Sequence, residues 1–318
     1  KNTYSLNMYI ASLSSNEQMF IEEWGRVLQT YMLRKKDGIS FFDGLALLSR
    51  FMENMKKPTD EKALQNIRSL VLRSLSFAQV LNDSLLGKKY ENILDFLKIL
   101  CLTITEKSWS LTQYSIELIF VFISKVCDIS LAETNLQEDL TTTYVQLMQV
   151  VSSVLLYQRF RLSGRSHVLI FTLVQFMEQL FTRYGFNDTV SSSEKCAMSF
   201  ERLIENYCEP STTILTERSG DSETTTGIST TASTQISKIR IELRKSLPVF
   251  IMHYLQYFLR YRTSTAVREP LSRSIFLAFK RLTENELNYI NASLDSQCRP
   301  AFKKIYDEYL KFGKWREE

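Results

Sequence analysis

The sequence predicts an all-α protein, built as a helical-hairpin repeat solenoid of the HEAT or armadillo kind with roughly a dozen helices. Glycine and proline are scarce, with 9 Gly and 5 Pro in 318 residues, which leaves little turn chemistry for β-hairpins. Apolar residues recur at spacings of three and four nearly throughout. Successive helices pair at about 40 residues per pair, although no motif recurs at a fixed spacing. A compact, irregular helical domain is the alternative.

The first half of the chain is predicted to contain six helices. The first occupies 15–34, where Ser15 is a plausible N-cap and Gln18 completes a capping box. The sequence KKDG at 35–38 ends it, and Ser40 can open the next helix. The remaining five are expected at 40–54, 60–81, 91–104, 111–127 and 134–158.

The second half begins with predicted helices at 166–184 and 190–208. A biased segment follows at 210–235, where 14 of 26 residues are Ser or Thr. Such a segment cannot bury enough apolar surface to offset the entropy of ordering. We therefore expect a mobile surface loop at 210–235, open to phosphorylation.

Four further helices are expected after this segment. Pro248 should kink or interrupt the helix at 237–261, and Pro270 suits the first turn of the helix at 267–282. Thr283 is predicted to cap the next helix, with Glu286 at the capping-box position. The last helix, 296–312, should be closed by Gly313.

The last helix carries a strongly apolar face at a chain end, where polar residues are usual. Because these side chains share one face, the helix is expected to dock on a neighbouring helix. Trp315, beyond Gly313, is expected to fold back on this helix or to contact a partner. The residues of the apolar face are Phe302, Ile305, Tyr306, Tyr309 and Phe312.

Two segments differ in charge. Residues 1–150, interpreted as a helical-repeat segment, hold 16 Lys and Arg against 17 Asp and Glu. Residues 151–318, interpreted as a C-terminal helical domain, hold 23 against 18. The excess is sharpest at 238–281, where ten basic residues face two acidic ones. This asymmetry indicates an acidic partner, either nucleic acid or protein. The chain starts at Lys1 rather than Met, so we expect it to be part of a longer protein.

Composition also argues against a membrane-spanning protein and against a metal-binding protein. The longest apolar run, LIFVFI at 118–123, is far shorter than the roughly 20 residues that span a bilayer. The five cysteines form no CxxC pair and lie far in sequence from His167 and His253. We interpret the cysteines as reduced core residues. No metal, cofactor or membrane is therefore expected.

Catalytic motifs are absent from the sequence. It has no GxGxxG or GKT/GKS phosphate loop, no HExxH zinc motif and no GxSxG nucleophile elbow. Paired carboxylates such as Glu22–Glu23 are typical of solvated helix faces. The sequence therefore predicts a protein without an active site or a small-molecule substrate.

One candidate binding site lies at the corner between two predicted helices. Arg159, Arg161 and Arg165 surround a Ser163–Gly164 turn. Guanidinium groups on a tight loop can make bidentate phosphate contacts, and the next helix N-terminus adds positive potential. We expect Ser163 or Ser166 to cap that helix. The alternative is that the arginines pair with carboxylates of adjacent helices and fix the corner.

A second candidate site lies in the most basic stretch and at the chain end. Tyr254, Tyr257 and Tyr261 interleave with its cations, which favours base stacking if they are exposed and a helix–helix contact if they are buried. The candidate RNA- or partner-binding residues here are Lys238, Arg240, Arg244, Lys245, Arg260, Arg262, Arg268, Lys314 and Trp315.

Several segments together resemble one known family. They are LLYQRFRLSGRSHVLIFTLVQFMEQLF at 155–181, RLIENYCEP at 202–210, LRKSLPVFIMHYL at 243–255 and LNYINASLDSQCRPAFKKIYDEYLKFGKW at 287–315. In this order they resemble the C-terminal region of the nucleolar pre-ribosomal-associated protein 2 family, also called unhealthy ribosome biogenesis protein 2. The Ser/Thr-rich segment at 210–235 departs from the family pattern.

This resemblance implies a helical-repeat scaffold of the nucleolus that acts early in large-subunit assembly and pre-rRNA processing. It implies other pre-ribosomal assembly factors as partners, including an RNA helicase complex, and pre-rRNA as a further partner. It carries over no catalytic residues. A protein-only adaptor that grips acidic partner segments remains the alternative.

Overall fold

The computed structural model describes residues 2–33, 38–81, 90–128, 137–183, 190–209 and 228–313. These residues form thirteen α-helices and no β-strand. The chain divides into two compact units, Lys1–Arg161 and Leu162–Glu318. The predicted all-α repeat architecture is confirmed, because neighbouring helices within each unit pack as in a helical repeat.

The first unit stacks its helices in two layers. In one layer α1 packs on α3, α3 on α5 and α5 on α7; in the other, α2 packs on α4 and α4 on α6. This alternation is the arrangement of stacked helical hairpins. The helices are α1 (Asn2–Leu13), α2 (Glu17–Leu33), α3 (Gly38–Asn54), α4 (Glu61–Ala78), α5 (Tyr90–Glu106), α6 (Gln113–Asp128) and α7 (Gln137–Tyr157).

Polar side chains join successive helices of the α1–α3–α5–α7 layer. Lys107, just after α5, donates to the backbone carbonyls of Met52 (3.1 Å) and Glu53 at the end of α3. Gln158, just after α7, donates through Nε2 to the carbonyl of Ile104 near the end of α5 (3.2 Å). Each contact satisfies carbonyls that a helix end leaves without an intrahelical donor. The partners of these contacts lie 54 to 55 residues apart in sequence.

A large aromatic cluster fills the core near α2. Trp24 is fully buried, stacks on Phe51 with ring centroids 5.7 Å apart and donates through Nε1 to Ser74 Oγ (3.1 Å). The predicted N-cap of α2 is wrong by one residue. Asn16 Oδ1 accepts from the backbone N–H of Met19 (3.2 Å), whereas Ser15 Oγ donates to the carbonyl of Ser12.

The second unit is organised around one long helix. Its helices are α8 (Ser166–Thr182), α9 (Val190–Cys208), α10 (Ile228–Arg260), α11 (Thr265–Arg281), α12 (Glu284–Ser293) and α13 (Cys298–Glu308). Helix α10 packs against α8, α11, α12 and α13, and α9 packs against α11. The apolar residues of α10 therefore form the centre of this unit.

Helix α10 and its neighbour depart from the predicted boundaries. The expected loop at 210–235 is wrong in its last part, because 228–235 belong to α10 and 210–227 lie outside the described residues. Once a packed helix exists, extending it gains one hydrogen bond per residue. Pro248 does not interrupt α10. Pro270 lies inside α11 rather than in its first turn, because α11 already begins at Thr265 and buries Val267.

The C-terminal helix docks as predicted for most of its apolar face. Phe302 and Ile305 are buried, and Phe279 of α11 contacts the rings of Phe302 and Tyr306 at centroid distances of 5.9 and 5.5 Å. Phe312 differs, with 65% of its surface exposed. The chain forms a π-helical turn at Tyr309–Gly313. Its wider turn changes the helical register and moves Phe312 off the docked face.

Candidate partner-binding surface

The second unit exposes most of the cations that the sequence singled out. Helix α10 buries one face against its neighbours, and several of its described side chains on the other face are exposed. The side chain of Lys238 lies outside the described residues, as do Lys314 and Trp315. The exposed candidates are Arg240, Arg244, Lys245, Arg260, Arg262 and Arg268.

These exposed cations take part in few intramolecular contacts. The guanidinium of Arg260 lies over the ring of Tyr261 at 5.4 Å, and that of Arg268 lies over Phe258 at 5.3 Å. Among the described residues, none of the ion pairs involves any of the six exposed candidates. The charges of this surface are therefore available to an acidic partner.

Other cations of the basic stretch have structural roles instead. Arg273 of α11 makes a bidentate pair with Glu201 of α9, and Arg281 and Lys280 both approach Glu209, the residue after α9, at 2.6 and 3.7 Å. The bond to Glu201 raises the pKa of Arg273. These pairs join α9 to α11, so a basic composition alone does not identify the binding surface.

The arginine corner is held by internal contacts. Arg161 donates through Nε to Gln158 Oε1 (3.0 Å) and through Nη2 to the carbonyl of Ser108 (3.5 Å). Arg159 donates through Nε to the carbonyl of Leu155 (3.3 Å). Arg165 is exposed and immediately precedes α8. Backbone and amide oxygens thus bind both Arg159 and Arg161.

Glu242 of α10 fixes the turn that begins the second unit. Its Oε1 accepts from the backbone N–H of Gly164 (3.2 Å) and from Ser163 Oγ (3.5 Å). Gly164 has a φ of 74°, a left-handed conformation that favours glycine. The predicted serine cap of α8 is wrong, because Ser163 bonds to Glu242 and Arg165 occupies the N-cap position without a side-chain cap.

The tyrosines of the basic stretch line a helix–helix contact. Tyr254 is buried against Phe181 of α8, with ring centroids 5.9 Å apart, and Tyr257 also contacts Phe181. Burial raises the pKa of Tyr254 to about 12, and burial together with nearby Glu178 raises the pKa of Tyr257 to about 12. Tyr254 therefore has no free ring face for a base to stack on.

A family model covers much of both units. The model described as the Urb2/Npa2 family matches residues 91–318, which is well over half of the chain. The chain belongs to the Urb2/Npa2 family. Membership indicates a role in ribosome biogenesis, in agreement with the resemblance seen in the sequence. No curated protein and no solved structure matches the chain.

In the described residues of this Urb2/Npa2 family chain, no group of three or more His, Cys, Asp or Glu side chains is placed to hold a metal ion. None of the described helices has the length and apolar content needed to cross a bilayer. Burial raises the pKa of the Cys101 thiol, and that of Cys298 is also raised, which disfavours the reactive thiolate.

Sequence reasoning missed one feature of the Urb2/Npa2 surface. Ile241, Val249 and Leu259 of α10 are 51%, 38% and 47% exposed. The helical spacing in the sequence could have identified them, because these residues fall on the side of the helix opposite Leu243 and Leu247, which are buried. The exposed surface of α10 is therefore both basic and apolar.

Proposed function

We propose that this chain is part of a non-catalytic scaffold that acts early in assembly of the large ribosomal subunit and in pre-rRNA processing, within the nucleolus. The observation that carries this proposal is the Urb2/Npa2 family match over residues 91–318. The scaffold binds other pre-ribosomal assembly factors, including a complex that contains an RNA helicase, and it binds pre-rRNA.

The architecture supports a scaffold role. Stacked helices present long surfaces that several partners can use at once. The helices are held by large buried side chains such as Trp24 and Tyr254, so their exposed faces are preorganised for binding. The exposed cations of α10 and the α10–α11 connection supply charge that an acidic partner requires.

Direct contact with pre-rRNA is assigned to exposed arginines, because guanidinium groups bind phosphate in bidentate fashion. Arg240 and Arg244 lie one turn apart on α10, and Arg262 and Arg268 flank the start of α11. Arg165 is the exposed member of the arginine corner and is a further candidate.

Charge reversal tests the RNA contact. The variant R240E/R244E is expected to bind single-stranded RNA more weakly, and its plot of log affinity against log salt should flatten by about 0.7 per lost phosphate contact. The control K56E/K57E reverses two exposed lysines of the first unit and has the same net charge. Equal slopes for both variants would reject phosphate contacts at Arg240 and Arg244.

The biological role has its own test. Depleting the protein from cells is expected to reduce large-subunit precursors and to leave early pre-rRNA unprocessed. Normal levels of processed rRNA after depletion would contradict the assembly role.

A protein-only adaptor is the second candidate function. The exposed Ile241, Val249 and Leu259 favour it, because aliphatic side chains neither stack on bases nor bond to phosphates. RNA crosslinking in cells separates the two candidates. Crosslinks within 238–281 support the RNA-binding scaffold, and their absence there supports the adaptor.

A further inference from the structure

One face of α10 forms a continuous exposed stripe. Its members follow one another at intervals of four, four, three, four and three residues, the spacing of a single helix face. At 1.5 Å per residue the stripe is about 27 Å long. It contains four apolar and two polar side chains and no acidic residue. We name it the α10 stripe, and it consists of Ile241, Lys245, Val249, Met252, Gln256 and Leu259.

The α10 stripe faces away from the core of the second unit. The opposite side of α10 carries the buried Leu243, Leu247 and Phe250, which pack within that unit. Met252 is half-buried, and the other five stripe residues are exposed. The three exposed aliphatic side chains of this face offer apolar surface that a partner can bury.

The charges around the stripe are mostly positive. Lys245 lies within it, and at 100° per residue Arg244 falls outside one edge, whereas Arg260 and Glu242 both fall at the other. Within the described part of the chain, no ion pair engages these three cations. Glu242 accepts hydrogen bonds from the Gly164 N–H and the Ser163 hydroxyl. Because three cations outnumber one carboxylate here, a partner that fits this stripe brings negative charge to it.

We propose that the α10 stripe docks an amphipathic helix of a partner protein, with an apolar face rimmed by Asp and Glu. This proposal rests on the proposed scaffold function and names the partner class for α10. A helix of about five turns matches the length of the stripe. Its apolar side chains pack between Ile241, Val249 and Leu259, as in helix-in-groove recognition. Its carboxylates meet the cations at the edges, which fixes orientation.

Photo-crosslinking with the full-length protein in cells tests whether such a partner helix binds the α10 stripe. Benzoylphenylalanine is placed at Val249 or at Gln256, and at Tyr289 as the control, an exposed position on α12. We expect mass spectrometry to identify, at both stripe positions, a segment of another protein that is net negative and has apolar residues at i, i+3 or i+4 spacing. RNA adducts, a second copy of this protein, residues 210–227 of the same chain, or products no more abundant than at Tyr289 would each overturn the proposal.

Surface variants add a quantitative test. V249D/L259D and K245E/R260E are each expected to lower the crosslink yield at Gln256 by about tenfold, since the first removes the apolar anchors and the second repels the acidic rim. Y289D is the matched control and should leave the yield unchanged. A yield that V249D/L259D does not change would overturn the proposal. The proposed scaffold function would fail separately, if wild-type protein were absent from pre-ribosomal particles. That result does not depend on which molecule crosslinks to α10.

Discussion

Arg273 of α11 binds Glu201 of α9 through two parallel hydrogen bonds, Nε to Oε1 at 2.6 Å and Nη2 to Oε2 at 2.8 Å. Both side chains are partly exposed to solvent, which screens the pair and limits its contribution to stability. Its planar geometry nevertheless sets the register between the two helices.

Replacing Arg273 with Met is expected to lower the free energy of unfolding by about 1 kcal/mol, because Glu201 loses its charge-assisted partner. Urea unfolding measures the change. The control is R202M, which removes an exposed arginine of α9 and should stay within about 0.5 kcal/mol of wild type. Equal midpoints for R273M and R202M would show that the pair contributes nothing.

The two ends of the C-terminal aromatic face should respond differently to truncation. Phe302 is buried against Phe279, so F302A is expected to destabilise the protein by about 3–5 kcal/mol. Phe312 is exposed, so F312A should change stability by less than about 0.5 kcal/mol. Thermal melting compares the two variants. A large loss in F312A would mean that the π-helical turn does not place this side chain in solvent.

Two helical glycines are expected to give opposite results when changed to Ala. A Cβ on Gly25 would meet only Leu70 at an ordinary 3.9 Å, so G25A should stabilise α2 by about 0.5–1 kcal/mol. A Cβ on Gly44 would lie 2.8 Å from Tyr31 Cδ1 and 3.1 Å from Phe77 Cζ, so G44A should destabilise. Chemical denaturation measures the change in unfolding free energy for each variant and therefore its sign. Stabilisation by G44A would contradict the close packing of α3 on Tyr31.

The burial of Tyr254 should make the free energy of unfolding fall at alkaline pH. Burial raises its pKa to about 12, above the ordinary value of 10.0. Below pH 10 the side chain is neutral in both states and its contribution is fully present. Between pH 10 and 12 only the unfolded side chain ionises, so stability falls by about 1.4 kcal/mol per pH unit.

Comparing Y254F with wild type isolates this effect. The variant loses the titrating group, so its unfolding free energy should fall less steeply above pH 10, whereas Y289F, at an exposed position, should follow the wild type. Parallel curves for Y254F and wild type would mean that Tyr254 titrates alike in the folded and unfolded states.

Local signals in the sequence predicted local structure well. The Thr283 capping box is confirmed, with Glu286 Oε2 accepting from the backbone N–H of Thr283 at 2.6 Å. Both partners lie within four residues, so no distant contact decides it. The N-cap of α2 was harder to predict from the sequence, because Ser15 and Asn16 are both good N-cap residues. The packing of the helix selects between them.

Tertiary contacts decided what the sequence could not. Arg161 and Arg273 look like any other cations in the sequence, yet Ser108 and Glu201, more than fifty residues away, engage them. The helical period placed Phe312 on the docked face, but the π-helical turn at Tyr309–Gly313 changes that period. The exposed cations were identifiable as candidates, whereas the α10 stripe required knowing which face of α10 is buried.

The most direct test of the account is co-sedimentation of the full-length protein with precursors of the large ribosomal subunit. We predict that wild-type protein and K56E/K57E migrate with these precursors and that V249D/L259D, although folded, shifts mainly to the free fractions. The contradicting results are wild-type protein found only in the free fractions, or a V249D/L259D profile identical to wild type.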